Sequence, residues 1–162
     1  MRFYLLLLTT LLLSACGFHL RRQAGILFEK LYIDAANSRT PFIRELRREL
    51  EDSKIKLVSS AAEADVVLNI VAEMPDKQIL TLDSGGRVSE FRLGYKVSLR
   101  AYDVKQRIWI PADEISMHRD FSYDDTKVLA KEAEEALLYQ SMRTDMVQLI
   151  VRRLSRAKPL PQ

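Results

Sequence analysis

Alternating apolar and polar residues mark the longest strand of the chain. Between residues 91 and 101, apolar side chains recur at every second position, with basic or small side chains between them. This period of two places the two sets on opposite faces of a strand, so that one face is buried. The polar face carries Arg92, Lys96, Ser98 and Arg100. We expect that face either to meet solvent or to contact a partner.

Three further segments are predicted to form strands. Leu31 to Asp34 alternates, the valine-rich run from Asp65 to Met74 indicates a buried strand, and Ile115 to Tyr123 alternates apart from Arg119. Pro75 interrupts the second of these runs. We therefore expect its continuation, from Gln78 to Leu82, to be an edge or bulged segment.

Two helices are indicated by their starting residues and by their apolar periodicity. The first begins with Thr40 as N-cap and Pro41 at the first helical position, and ends near Ser53. Its apolar face consists of Ile43, Leu46 and Leu50. Asp124 to Thr126 caps a second helix that runs from about Lys127 to Arg156. Its expected buried stripe includes Leu138, Met142, Met146, Leu149 and Leu154.

The resulting order is β-α-β-β-β-α, which predicts an α+β fold. The first two strands should be parallel, joined by a right-handed crossover, and the later strands should form an antiparallel meander around the Ser84–Gly86 turn. We expect a two-layer sandwich in which a four-stranded, mostly antiparallel sheet carries both helices on one face.

The amino terminus has the pattern of a lipoprotein signal peptide. Arg2 precedes the apolar run Phe3–Leu13, which is too short to span a bilayer. Leu13-Ser14-Ala15-Cys16 resembles the lipobox of bacterial lipoproteins. That resemblance implies cleavage before Cys16, an S-diacylglycerol group on its thiol and an N-acyl chain on its amine. The alternative is an ordinary secreted protein whose cysteine lies at the cleavage site by chance.

These patterns divide the chain into four parts. Residues 1–15 are the signal peptide, 16–25 the lipidated tether, 26–158 a single domain and 159–162 a tail. Gly17 follows the cysteine where aspartate would signal inner-membrane retention in enterobacterial lipoproteins. The expected location is therefore the periplasmic side of the outer membrane, held by the lipid anchor.

Composition narrows the function classes. The chain has 162 residues, a single cysteine and a formal net charge of +3. One cysteine allows no intramolecular disulfide, so packing must supply the stability of the domain. The small positive charge does not indicate a nucleic-acid-binding protein.

No set of catalytic or metal-binding residues is apparent. His19 and His118 are far apart and belong to no metal-ligand motif, and a helix start explains Asp124-Asp125 better than a metal site does. No G-x-S-x-G or P-loop pattern occurs. We expect no enzymatic activity, no metal and no cofactor other than the covalent lipid on Cys16.

Two basic residues are candidates for binding an anion. Arg87 lies just after the Gly-Gly turn at the predicted hairpin tip, and Lys131 lies in the first turns of the last helix. The ordinary alternatives are a solvated arginine and a lysine paired with Glu135 at i+4.

Several of these features together resemble the LptE lipopolysaccharide-assembly lipoprotein family. They are the segment Cys16-Gly17-Phe18-His19-Leu20-Arg21, the element order, the Gly-Gly hairpin and Leu129-Ala130-Lys131. The resemblance implies a plug inside the LptD β-barrel that assists barrel assembly. It also implies binding of lipopolysaccharide through basic residues during insertion into the outer leaflet. Lys131 matches the family's basic position in its L-A-K segment, and Arg87 follows the matching turn.

Two other function classes compete with this interpretation. A free-standing periplasmic lipid-binding lipoprotein would need an enclosed apolar cavity, for which a thin sandwich has little room. An enzyme would need an acid, base or nucleophile set that the sequence does not supply.

Overall fold

The computed structural model describes residues 27–161. The predicted signal peptide, the tether and Cys16 therefore lie outside the described residues. Within the described part, no helix is both long enough and apolar enough to cross a bilayer.

The strands and helices follow the predicted order with one additional strand. The elements are β1 Lys30–Ala35, α1 Pro41–Asp52, β2 Lys56–Leu57, β3 Val66–Leu82, β4 Val88–Asp103, β5 Ile108–Ser122 and α2 Val128–Leu154. Short 3-10 turns cover Ala61–Glu63 and Asp125–Lys127.

The α+β sandwich is confirmed, but its sheet has five strands rather than four. The strand order is β2-β1-β3-β4-β5, with β1 parallel to β2 and β3 and the longer β3-β4-β5 meander antiparallel. The unpredicted strand, β2, has only two residues, too few to show any alternation. Backbone hydrogen bonds place it beside β1: the Lys56 N–H donates to the Glu29 carbonyl at 2.9 Å.

Strand β3 continues through Pro75 to Leu82. Strand β1 pairs with β3 only as far as Ile70, whereas β4 pairs with β3 along its whole length. Beyond Ile70 one side of β3 is therefore an edge, where a missing N–H is tolerated. The register shifts around Ile79–Leu82, so the prediction of an edge or bulged continuation is confirmed.

Strand β5 begins at Ile108, well before the predicted start at Ile115. Trp109 and Ile110 are buried in the core, but Pro111 and the acidic residues that follow hide the alternation. The two parts of β5 pair with β4 across a register shift near Ala101.

The core lies between the sheet and the two helices. Thr40 caps α1 as predicted, accepting a hydrogen bond from the Ile43 N–H at 3.2 Å. The predicted buried face of α1 is confirmed and also includes Phe42. In α2, Leu149 is 36% exposed, so its placement in the buried stripe was wrong. The buried residues of α2 are Met142, Met146, Val147, Ile150, Val151 and Leu154.

Candidate functional site

Both predicted basic residues lie at one end of the sheet. Arg87 is in the turn between β3 and β4, and Lys131 is in the first turn of α2. The 3-10 turn that leads into α2 lies beside them: Arg87 Nη1 is 3.9 Å from Asp125 Oδ2. Lys131 Nζ is 3.4 Å from the hydroxyl of Ser122 at the end of β5. We call this region the tip site, defined by Arg87, Lys131, Asp83, Asp125 and Ser122.

The turn at the tip site is organised by the Asp83 carboxylate. Its Oδ1 accepts hydrogen bonds from the backbone N–H groups of Gly85 at 2.8 Å and Arg87 at 2.9 Å. Its Oδ2 pairs with Arg87 Nε at 3.2 Å. The bond from the Arg87 backbone N–H is the largest cause that lowers the pKa of Asp83. Gly86 supplies the positive φ of 78° that the turn requires.

The turn between β4 and β5 has the same design at the other end of β4. Asp103 accepts from the backbone N–H groups of Lys105 at 2.9 Å and Arg107 at 3.0 Å, and pairs with Arg107 Nε at 2.7 Å. Gln106 takes the positive φ, at 60°. Both turns have the sequence pattern Asp-x-x-x-Arg. Arg107 is therefore a matched structural counterpart of Arg87.

The surroundings of the two arginines nevertheless differ. The Arg87 side chain is 67% exposed and only one of its nitrogens makes a short contact with Asp83. The opposite side of its guanidinium faces Asp125 at a distance that is long for an ion pair. An anion could replace Asp125 there without breaking the turn, because the Asp83 contacts use different groups.

Lys131 has a different partner from the one predicted. Its ammonium pairs with Glu134 at 2.7 Å, at i+3, and its side chain is only 16% exposed. Glu135 instead pairs with Lys77 of β3 at 2.5 Å. The partner changed because the sheet brings a second lysine to the helix, which sequence spacing along the helix does not show. Lys131 thus lies against the sheet, with its ammonium at the protein surface.

The tip site carries charges of both signs. The described residues at this end include the carboxylates of Asp83, Asp124, Asp125 and Glu134 and the cations of Arg87, Lys127 and Lys131. A phosphate would bind in competition with these carboxylates, so its affinity should depend strongly on ionic strength.

A cluster around Lys77, which was not predicted from the sequence, contacts the helix that carries Lys131. Lys77 Nζ lies 4.1 Å from the centre of the Phe91 ring, and Phe91 packs against Phe121 and Tyr123. This cation–π contact joins β3 to β4, and the ion pair from Lys77 to Glu135 joins β3 to α2. The alternating aromatic positions of β4 and β5 were visible in the sequence, but the role of Lys77 was not.

The predicted basic face of β4 is partly neutralised. Arg92 forms two hydrogen bonds with the Asp120 carboxylate of β5, at 2.7 and 2.8 Å. Arg100 donates to the Asn69 side chain at 3.2 Å. His118 is exposed on the same strand as Asp120. Among residues 27–161, no three histidine, aspartate or glutamate side chains form a group suited to a metal ion.

Comparisons with known proteins point to one family. The family model described as "LptE: Lipopolysaccharide-assembly" matches residues 28–154. The protein named LPS-assembly lipoprotein LptE from Pectobacterium atrosepticum is 26% identical over 155 residues, covering 91% of this chain and 80% of that protein. Its namesake from Yersinia pestis is 28% identical over 158 residues, covering 93% and 73%.

Solved structures of lipoproteins share the fold. Lipoprotein B from Nitrosomonas europaea, determined in solution by NMR, is 35% identical with a TM-score of 0.74, covering 86% of this chain and 90% of that one. The rare lipoprotein B from Shewanella oneidensis, at 24% identity, has a TM-score of 0.69 and covers 78% and 93%. The second likeness concerns the fold alone.

Proposed function

The chain belongs to the LptE lipopolysaccharide-assembly family, and we propose that it forms the plug and assembly partner of the LptD β-barrel. The observation that carries the proposal is the family match over residues 28–154, which spans nearly the whole described domain. This is a family of lipopolysaccharide-assembly lipoproteins and not a known enzyme family.

The surface of the domain suits a polar barrel lumen. Positive and negative side chains both occur on its surface, where they form ion pairs. Examples are Arg92–Asp120, Arg119–Asp145 and Arg153–Asp113. The inside of a transmembrane β-barrel is polar, so a plug with such a surface is compatible with it. A free-standing lipid carrier is less well supported, because the groove of about 900 Å³ beside β5 is open to solvent.

We also propose that the chain is anchored in the outer membrane through acyl chains on Cys16. The support is the lipobox pattern together with the family's lipoprotein character. Mass spectrometry of the mature amino terminus should show a diacylglycerol and an N-acyl chain on residue 16, and Cys16→Ala should abolish both. An unmodified mature chain starting at Gly17 or later would contradict the anchor.

The plug role is tested by co-purification. We expect a tagged full-length chain, extracted from outer membranes in mild detergent, to elute with a β-barrel protein in equal amounts. Lipid alone in the eluate would favour the carrier alternative. Neither barrel nor lipid in the eluate would reject both.

Lipopolysaccharide binding at the tip site is proposed for Arg87 and Lys131. Replacing both by glutamine removes two charges without introducing new ones, so lipopolysaccharide should bind the full-length protein about tenfold more weakly. The loss should shrink at high salt, because exposed charge pairs are screened. Binding is measured on the detergent-solubilised chain beside its melting temperature.

The structure supplies a matched control for this experiment. Arg107→Gln with Lys105→Gln removes the corresponding ion pair of the matching turn, and the same total charge, at the opposite end of β4. We expect this variant to bind lipopolysaccharide like the wild type. Equal weakening in both variants would assign the effect to net charge or to turn stability, and the tip site would then be rejected.

A further inference from the structure

A groove runs between β5 and the carboxyl-terminal part of α2. It has a volume of about 900 Å³ and is open to solvent along the strand. Its apolar lining includes Trp109, Ile110, Ile115, Leu149 and Leu160. Leu149, which was predicted to be buried in the core, is thus part of the groove wall.

The backbone of β5 along this groove lacks a neighbouring strand. β5 is the last strand in the sheet order, and β4 is its partner on the inner side. Among the described residues, one backbone hydrogen bond reaches its outer edge: the Leu160 N–H donates to the Ile108 carbonyl at 2.8 Å. The tail thus occupies the first position of the edge and leaves the following positions open. Such an edge can accept an added strand.

The rim of the groove is basic. Four cations line it, from Arg152, Arg153, Arg156 and Lys158, against two carboxylates, from Asp113 and Glu114. Arg153 pairs with Asp113 at 2.6 Å. The other three cations have no carboxylate within 4.0 Å among residues 27–161. Their charge is therefore available to a ligand.

We propose that the outer edge of β5 docks an extended, acidic segment of a partner polypeptide. The segment would add to the sheet as a sixth strand, with apolar side chains in the groove and carboxylates on Arg152 and Arg156. Backbone edge groups select a polypeptide over a lipid, because they require N–H and C=O partners. The basic rim disfavours a second copy of this chain, since the two rims would repel each other. The inference deepens the proposed plug role, since it specifies how a partner protein would be held.

The test uses a synthetic peptide and does not require the barrel, so its outcome is separate from co-purification. The probe has about eight residues, an ordinary strand length, with alternating valine and glutamate and a fluorescent label. We expect it to bind the full-length chain and to slow amide exchange between residues 109 and 116. Arg152→Gln with Arg156→Gln should weaken binding about tenfold. The matched control, Arg47→Gln with Arg48→Gln on α1, should bind like the wild type.

Four results would overturn the inference. A peptide methylated at alternate backbone nitrogens that binds the wild-type chain equally well would exclude strand pairing. Equal binding of a valine–lysine peptide would exclude charge recognition. No binding at all, or no change in exchange along β5, would exclude the site. The methylated peptide needs no protein variant, so this arm holds even if a substitution impairs folding.

Discussion

Replacing Leu99 by lysine is expected to abolish cooperative unfolding of the domain. Leu99 is 1% exposed and lies on the helix-facing side of β4, the strand between β3 and β5. A buried, unpaired ammonium costs several kcal/mol, a large part of the roughly 5 to 15 kcal/mol that stabilises a domain of this size. Thermal unfolding followed by circular dichroism should show either no transition or a broad transition at low temperature.

Ser98→Lys is the control, since it places the same side chain one residue away. Ser98 lies on the open face of the sheet, and its hydroxyl donates to the Glu114 carboxylate at 3.4 Å. The new ammonium would therefore meet solvent and a carboxylate, and the melting temperature should stay near that of the wild type. Similar losses in the two variants would mean that the register of β4 is wrong.

Asp103→Asn is expected to destabilise the domain by about 3 kcal/mol, because buried donors lose a charged acceptor. Asp103 is 3% exposed, and besides Arg107 and Lys105 it accepts from Trp109 Nε1 at 3.3 Å. Asp83→Asn changes the same position of the matching turn, but the Asp83 side chain is 32% exposed, so the loss of stability should be clearly smaller. Chemical denaturation of both variants measures the difference. Equal losses of stability in the two variants would show that the burial of Asp103 contributes nothing to the effect.

The difference in the free energy of unfolding between the wild type and Asp103→Asn should also depend on pH. Burial by itself raises the pKa of Asp103, but the hydrogen bonds from Arg107 and Trp109 outweigh burial, so the pKa is lower than the ordinary 3.8. A lowered pKa in the folded state stabilises the protein above the unfolded-state pKa. This contribution is lost as the pH falls through the folded value. The stability gap should therefore be constant from pH 7 to about pH 5 and should shrink below about pH 4. A gap that is constant down to pH 2 would contradict the lowered pKa.

Local patterns predicted much of the fold. The alternation of β4 and the Thr40 cap of α1 are each set by residues a few positions apart. Such features can be deduced without a three-dimensional structure, because a period of two or a capping hydrogen bond involves near neighbours only. The family resemblance likewise came from short motifs and from the element order, and the family match confirms it. The predicted cap of α2 was wrong: Asp124 caps the 3-10 turn Asp125–Lys127, and Lys127, the N-cap of α2, makes no side-chain capping hydrogen bond.

The sequence by itself determined the α+β class, the order of the long elements and the positions of Arg87 and Lys131 on them. The tertiary structure alone decided which groups meet across elements. Lys77 of β3 forms an ion pair with Glu135, so Lys131 pairs with Glu134 instead. Leu149 lines a groove and is not part of the core. Strand β2 exists only because β1 offers it backbone partners. These outcomes depend on distances between residues far apart in the chain, which are set by the packing of helices on the sheet and not by periodicity within any one segment.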